Sequence, residues 1–239
     1  MRPGQNVEFS SKYHEEAFPD RYAGKHSESL ARRLNDWREQ FLLTKCLDRT
    51  EAIGSAADIG CGPGRFWPTI AAAVPGVLAS GEGTNLYGSD VSESMLRYAR
   101  DRFEDGLGER FALASGSVTA LPFADNAFDC VISMRLLHHF GEREIRMQAI
   151  RELARVANRY LIVSLWTDGN FKAWRRARLE RRRGNRAYQN RFVIPRQVLE
   201  AEFRACGLQP AAHFDLIPGY SQWRYYLLEK QADPESGAR

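Results

Sequence analysis

A glycine-rich loop and an acidic residue beyond it are the part of the sequence best suited to hold a ligand. The loop is Asp58-Ile59-Gly60-Cys61-Gly62-Pro63-Gly64, which follows a short apolar run and precedes a predicted helix. Glycines let the backbone turn tightly and approach a ligand, because no Cβ stands in the way. Asp90 ends the next predicted strand, and its carboxylate can accept two hydrogen bonds from a ribose diol. The two features together predict a nucleoside site.

The spacing within this loop disfavours a dinucleotide. It reads G-x-G-x-G, whereas the dinucleotide fingerprint is G-x-G-x-x-G. Pro63 also lacks the backbone N–H that a pyrophosphate would use. Both points argue against NAD as the ligand.

Two adjacent histidines are the candidates for a catalytic base. His138 and His139 come just after a strongly apolar predicted strand, and so at the edge of the sheet where ligands bind. A histidine titrates near neutral pH and can accept a proton from a hydroxyl or a phenol. The alternative is that one ring packs against a cofactor or caps a helix while its neighbour faces solvent. Of the two, His139 is the preferred base.

An alternation of strands and helices would position these residues. The predicted strands are residues 53–59, 85–90, 110–114, 128–134, 160–166, 209–215 and 222–229, and the predicted helices are 29–47, 65–73, 92–103, 142–157 and 195–206. This alternation predicts βαβ units and a mostly parallel sheet that helices cover on both faces. The last two strands are joined by a short link and should pair antiparallel.

Four blocks in this order resemble a class I S-adenosylmethionine-dependent methyltransferase, of the type found in ubiquinone and menaquinone biosynthesis. The blocks are the loop at 58–64, Gly88-Ser89-Asp90-Val91-Ser92-Glu93-Ser94-Met95-Leu96, Leu121-Pro122-Phe123-Ala124-Asp125-Asn126-Ala127-Phe128-Asp129-Cys130-Val131, and Leu137-His138-His139-Phe140. The resemblance spans about residues 56–165. It implies a Rossmann-like α/β fold with a seven-stranded, mostly parallel sheet whose last strand is antiparallel. It also implies S-adenosyl-L-methionine as the cofactor.

The resemblance assigns roles to matching positions. Ten residues would bind the cofactor: Asp58, Gly60, Cys61 and Gly62 at its methionine part, Asp90 at the ribose, Val91 and Met95 at the adenine, Ser117 and Val118 at the adenine edge, and Ser133 near the amino and carboxylate groups. The family usually has an acid where this chain has Ser117. A neutral hydroxyl can still accept a hydrogen bond there, but not a charge-assisted one.

A basic segment and an N-terminal arm lie outside the resemblance. Between Lys172 and Arg191 the chain has nine basic residues and one acid. This segment therefore has a net charge of +8, whereas the whole chain has a net charge of +4. Trp174 and Arg178 in this segment are candidate substrate ligands, as are Arg135 and, in the arm, Tyr13. The segment is either a solvated helical lid, a site for an anionic small molecule or lipid, or a nucleic-acid surface. The arm either folds over the cofactor or packs loosely.

The predicted organisation is an arm and capping helix at 1–50, a methyltransferase domain at 51–231 with a basic insertion at 168–194, and a disordered tail at 232–239. No apolar leader or long apolar run is found, so a cytoplasmic protein is expected, and the scattered cysteines predict no metal site. The leading function is methylation of an oxygen or carbon of a small anionic or lipid-like substrate. The alternatives are a tRNA or rRNA methyltransferase and a non-catalytic cofactor-binding protein.

Overall fold

The computed structural model describes residues 30–74, 85–183 and 191–231, which form helices around one seven-stranded sheet. The helices are α1 (Leu30–Leu47), α2 (Trp67–Ala73), α3 (Glu93–Asp101), α4 (Arg143–Val156), α5 (Phe171–Arg183) and α6 (Arg196–Arg204). The strands are β1 (Ala56–Ile59), β2 (Leu86–Asp90), β3 (Phe111–Ser115), β4 (Phe128–Met134), β5 (Ala157–Trp166), β6 (Leu208–Asp215) and β7 (Trp223–Lys230). Short 3₁₀ turns lie at Leu107–Arg110 and Leu137–His139.

The sheet has the strand order β3-β2-β1-β4-β5-β7-β6. Strands β1 to β5 pair in parallel, and β7 runs antiparallel to both β5 and β6. The predicted parallel sheet with an antiparallel last strand is therefore confirmed. The chain winds outward from β1 to β3 and then returns to β4 beside β1. This reversal opens a crevice at the carboxyl ends of β1 and β4, where ligands bind in open α/β sheets.

Successive strand residues alternate between two hydrophobic cores, one on each face of the sheet. Ile132 of β4 packs with Trp67 and Leu42, in the core beneath α1, α2 and α3. Val131, its neighbour, packs with Ile150 and Phe203, in the core beneath α4 and α6. Both faces of the central strands are therefore covered, which explains why these strands read as continuous apolar runs.

The predicted helices at 29–47 and 92–103 form as α1 and α3. Ser92 caps α3 by accepting a hydrogen bond from the Met95 N–H at 3.4 Å. In α1 the apolar residues Leu30 and Leu34 are 83% and 64% exposed. The buried face of α1 carries instead the set Glu39, Leu42, Leu43, Cys46 and Leu47. Within the described ranges, no helix is long and apolar enough to cross a membrane.

Candidate active site

A cavity of about 440 Å³ opens at the carboxyl ends of β1, β2 and β4. Its size lies within the usual range for small-molecule sites. Nine of the ten predicted cofactor residues line it: Asp58, Gly60, Cys61, Gly62, Asp90, Val91, Met95, Ser117 and Val118. They come from three separate parts of the chain. Parallel strands bring them together, because the carboxyl ends of such strands meet at one edge of the sheet.

The three glycines after β1 serve different purposes. All have positive φ, a conformation that favours glycine: +73° at Gly60, +52° at Gly62 and +68° at Gly64. A Cβ on Gly60 would lie 2.8 Å from Leu136, and one on Gly64 would lie 2.8 Å from Trp67. A Cβ on Gly62 would meet nothing within 4 Å. Gly60 and Gly64 therefore make room for packing, whereas Gly62 leaves open space at the cavity wall.

Asp90 binds the glycine loop directly. One carboxylate oxygen accepts the Gly62 N–H at 2.9 Å and the other accepts the Ser92 N–H at 2.9 Å. An ionised carboxylate has about four lone-pair sites and can accept several hydrogen bonds at once. The acid thus fixes the loop and lines the cavity at the same time, which suits the ribose-binding role predicted for it.

Asp58 is buried beneath the loop with an unsatisfied oxygen. Its side chain is 1% exposed, and its Oδ2 has no hydrogen-bond partner among the described residues. Burial and the negative charge of Asp90 raise the pKa of Asp58 from 3.8 to about 7. The nearby Trp67 indole N–H lowers the pKa of Asp58, although the two groups do not meet the geometry of a full hydrogen bond. A cation in this cavity would therefore be attracted by two carboxylates, one of which lacks a partner.

The adenine side of the cavity is apolar with one polar edge. Val91 is 39% exposed and Met95 is buried, so the two offer a flat hydrophobic wall. Ser117 is exposed, and its hydroxyl lies 2.8 Å from the Thr119 hydroxyl. Val118 is almost fully buried beside it. The Ser117 hydroxyl therefore already shares one hydrogen bond, which fits the weak adenine anchoring expected of a residue without charge.

Two arginines form the opposite wall. Arg65 and Arg135 both line the cavity and both contact Glu39 of α1, which is 3% exposed. Arg65 lies 2.6 Å from a Glu39 oxygen and also pairs with Asp36. Arg135 lies 3.5 Å from both Glu39 oxygens, stacks over Trp223 at 4.9 Å, and has φ of +61°. The looser contact leaves the Arg135 guanidinium available to an anionic group.

The two histidines lie in different environments. His139 is half-buried and lines the cavity. His138 is 2% exposed, lies between Trp166 at 5.2 Å and Trp223 at 4.8 Å, and is not on the cavity wall. Burial and the neighbouring positive charges lower the pKa of His138 well below its usual value. His138 therefore stays neutral and supports the ring of His139, 4.0 Å away, which leaves His139 as the candidate base.

Besides His138, four further predicted site residues are not placed at this cavity. Ser133 is fully buried and donates its hydroxyl hydrogen bond to the Ile59 carbonyl at 2.9 Å. Trp174 and Arg178 lie exposed on α5, outside the cavity. Tyr13 lies outside the described residues, as do most of the N-terminal arm, residues 184–190 of the basic insertion and the tail. The strand end that carries Ser133 still contributes to the wall, through Met134 and Arg135.

Residues that the sequence argument missed also shape the site. Glu39 lies on the buried stripe of α1 with Leu42, Leu43 and Cys46, and an acid among apolar residues at helical spacing is the signal that points to it. Arg146 carries the same signal, since it shares the buried stripe of α4 with Ala149, Ile150 and Leu153. It is buried, pairs with Glu202 at 2.7 Å, and donates to the Phe140 carbonyl at 2.9 Å. Arg146 thereby fixes the loop that follows His139.

The described residues fit S-adenosylmethionine. A sulfonium and an ammonium are cations, and Asp58 and Asp90 supply the complementary charge. Gly62 leaves space for close approach, Asp90 suits a ribose diol, and Val91 and Met95 suit the flat adenine. Cys61 also lines the cavity, but burial and the two acids raise the pKa of its thiol well above the usual value. Cys61 is therefore a neutral wall residue and not a nucleophile.

Comparisons with known proteins agree with this geometry. Residues 56–159 match the family model described as a methyltransferase domain. The demethylmenaquinone methyltransferase of Shouchella clausii is 33% identical over 123 residues, which are 51% of this chain and 46% of that protein. The probable tRNA methyltransferase 9B of Mus musculus is 33% identical over 100 residues, 42% of this chain and 18% of the relative. The chain thus spans less than half the length of these curated relatives.

Among solved structures, magnesium protoporphyrin IX methyltransferase from Synechocystis PCC 6803 with bound SAH superposes with a TM-score of 0.70. The superposition covers 95% of this chain and 100% of that chain at 17% sequence identity. At such low identity the likeness concerns the fold.

Proposed function

We propose that this chain, which carries a class I S-adenosylmethionine-dependent methyltransferase domain at residues 56–159, transfers a methyl group to an oxygen or carbon of a small anionic or lipid-like molecule. The similar proteins carry the names of three different acceptors: demethylmenaquinone, magnesium protoporphyrin IX and tRNA. The acceptor must therefore be argued from the cavity itself. The observation that carries the proposal is that His139 and Arg135 line the same cavity as Asp58 and Asp90.

The cofactor supplies a methyl group on a sulfonium, which is already activated for displacement. The residues of this chain have to hold the acceptor in line, exclude water and remove a proton. Orientation alone can contribute about 7–11 kcal/mol to such a reaction. Leu136, Phe140 and Ile145 line the cavity beside His139 and give that end apolar walls. The acceptor end is therefore suited to an organic molecule with a limited polar part.

His139 is the proposed base and Arg135 the proposed anion ligand. An acceptor hydroxyl or phenol keeps its proton at neutral pH, so its methylation needs a base within reach. Arg135 can bind a carboxylate or phosphate with two parallel hydrogen bonds, because its contact with Glu39 is long at 3.5 Å. Burial keeps His138 uncharged beside His139, so His138 adds no positive charge that would disfavour protonation of the base.

The test is a turnover assay on paired acceptors with labelled cofactor. Each pair consists of an aromatic hydroxy acid and its neutral amide, so the two differ only in charge. We expect the acid to be the better acceptor. His139→Gln should lower kcat by about 10²–10⁴-fold while cofactor affinity stays within twofold, because a positioned base contributes about that much. His213→Gln, at an exposed position on β6, is the matched control and should retain full activity.

A second variant separates charge recognition from proton transfer. Arg135→Gln should raise KM for the acid and leave KM for the neutral amide unchanged. Equal use of acid and amide by the wild type would contradict the anionic acceptor. Cofactor binding without turnover on hydroxyl, carbon-acid and tRNA acceptors would favour the non-catalytic alternative.

RNA is the second candidate acceptor, because α5 presents exposed arginines such as Arg175 and Arg178. An RNA acceptor would show methyl transfer into tRNA with a steep dependence on salt concentration, since phosphate contacts release counterions. Neutralising both arginines would abolish that transfer. Transfer to small acids, unaffected by the same change, supports the leading proposal.

A further inference from the structure

A cluster of exposed hydrophobic and basic side chains lies outside the cavity. Four large hydrophobic side chains are exposed together on α5 and on the turn between β6 and β7: Phe171 (47%), Trp174 (53%), Ile217 (46%) and Tyr220 (44%). Exposed basic residues accompany them on α5: Lys172, Arg175, Arg178 and Arg181. We name these eight residues the aromatic-basic face. Monomeric proteins rarely expose apolar side chains in such a cluster without a function.

Hydrogen bonds hold the two parts of this face together. The Phe171 N–H donates to the Gly219 carbonyl at 2.9 Å, and the Lys172 N–H donates to the Tyr220 carbonyl at 3.0 Å. The rings of Phe171 and Tyr220 stack with centroids 5.7 Å apart and planes 11° from parallel. The Tyr220 N–H in turn donates to the Ile217 carbonyl at 3.2 Å. The face is therefore one ordered surface and not a set of independent side chains.

The charge of this face has a single sign among its described side chains. Phe171, Trp174, Arg178 and Arg181 are spaced three or four residues apart, so they share one side of α5. Glu180, the acid of the helix, pairs with Arg176 at 2.7 Å. Arg176 also lies over Trp166 at 5.0 Å and is only partly exposed. The acid is thus engaged by an arginine outside the face, and the four basic residues of the face keep their net positive charge.

We propose that the aromatic-basic face docks on the surface of an anionic membrane. Aromatic side chains bury their rings at the boundary between headgroups and acyl chains, and arginine and lysine bind the anionic headgroups. Long basic side chains can lie along the apolar boundary and keep their charge at the headgroups, so both kinds of residue can share one side of a helix. Charge and exposed apolar area together match this partner.

The stacking of the rings favours a membrane over RNA. A base stacks on an open ring face, but here Tyr220 and Trp174 each already contact another ring and a cation within the protein. Tyr220 has Phe171 on it and the Lys172 ammonium 5.1 Å from its centroid. Trp174 has Phe171 at 5.9 Å and the Arg178 guanidinium at 5.6 Å. Insertion at a membrane boundary needs apolar edges and area, which the exposed fractions of these rings provide.

The test is sedimentation of the full chain with vesicles, without cofactor or acceptor. The failure of this proposal is then distinguishable from the failure of the proposed methyl transfer. Vesicles of phosphatidylcholine with phosphatidylglycerol are compared with vesicles of phosphatidylcholine alone. We expect binding to the anionic vesicles. Arg175→Gln with Arg178→Gln should weaken it about 25-fold, or about fivefold for each charge removed at the surface.

Two matched controls isolate the face. Arg97→Gln with Arg100→Gln on α3 makes the same change in charge at positions that are 61% and 50% exposed, and should leave vesicle binding within a few-fold of wild type. Phe171→Ser with Trp174→Ser should weaken binding at least about tenfold, through lost apolar burial. Val198→Ser, at a position 42% exposed on α6, is its control and should bind as wild type does. The far-ultraviolet spectrum establishes that each variant is folded, and the single change Arg178→Gln replaces any pair that is not.

Three results would overturn the proposal. The first is a wild-type chain that does not sediment with anionic vesicles. The second is full binding by both variants of the face. The third is tight binding of a single-stranded RNA that the face variants abolish, in the absence of vesicle binding, which would assign the face to nucleic acid.

Discussion

The cofactor cavity and helix α5 differ in how their residues come together. Both are marked in the sequence by unusual composition, one by glycines and the other by arginines. The cavity residues converge from four parts of the chain, because the register of β1, β2 and β4 fixes them at one edge. Helix α5 is placed instead by hydrogen bonds from its first turn to the turn after β6. A motif at a strand end is positioned by the sheet, whereas an added helix is positioned by whatever it contacts.

The largest effect should come from Asp90, which belongs entirely to the cavity. Asp90→Ala removes the acceptor for the Gly62 and Ser92 N–H groups. In the proposed site it also removes two hydrogen bonds to the ribose. Cofactor affinity should fall by about a hundredfold or more, because each of the two hydrogen bonds to a charged group contributes about 1.5–3 kcal/mol. Titration calorimetry with S-adenosylhomocysteine measures this. An unchanged dissociation constant would show that Asp90 does not bind the ribose.

Asp58 also belongs to the cavity and should make the stability of the protein depend on pH. Its pKa is raised from 3.8 to about 7, so the ligand-free fold loses stability as pH rises from about 4 to about 7, and the loss levels off above that. The sign follows because the folded protein holds the proton at a pH where the unfolded chain has lost it. The stability of Asp58→Asn relative to wild type should therefore increase by about 2 kcal/mol from about pH 5 to about pH 8. Urea titrations at the two pH values measure this difference.

Cofactor binding should show the opposite preference at Asp58. A cationic ligand favours the ionised carboxyl, so the affinity of the wild type should rise as pH increases through about 7. The Asp58→Asn variant should bind weakly with little pH dependence. An equally steep pH dependence in this variant would mean that another group titrates.

The sequence predicts those features of the molecule that are determined by residues close together in the chain. Nine of the ten residues that the resemblance assigns to the cofactor line the cavity, and the seven strands follow from apolar runs in the sequence. Ser133 lies near the end of β4, but period-two alternation points its hydroxyl to the Ile59 carbonyl instead of the cavity. His138 and His139 are adjacent and chemically identical, so only the packing of Trp166 and Trp223 decides which is buried. Long-range contacts of this kind leave no local pattern.

Replacing Gly60 or Gly62 by alanine should have a smaller effect, and the two substitutions can be compared directly. Both have positive φ, so alanine costs about 1 kcal/mol of backbone strain at either position. At Gly60 the new Cβ would also meet Leu136 at 2.8 Å, whereas at Gly62 it would meet nothing. Gly60→Ala should therefore lower the free energy of unfolding more than Gly62→Ala. Equal losses in urea titrations would mean that Leu136 moves aside without cost.

The smallest effect is expected at Trp174, and it bears on the separation of the two regions. Trp174 is 53% exposed and lies outside the cavity, so Trp174→Ser should change the free energy of unfolding by less than about 0.5 kcal/mol. Its cofactor dissociation constant should match that of wild type in the same calorimetric titration used for Asp90→Ala. A loss of cofactor affinity would mean that α5 reaches the cavity when ligand is bound, because an exposed side chain that touches no cofactor residue can affect binding only if the helix moves. The two regions would then form one site, as the sequence pattern first suggested.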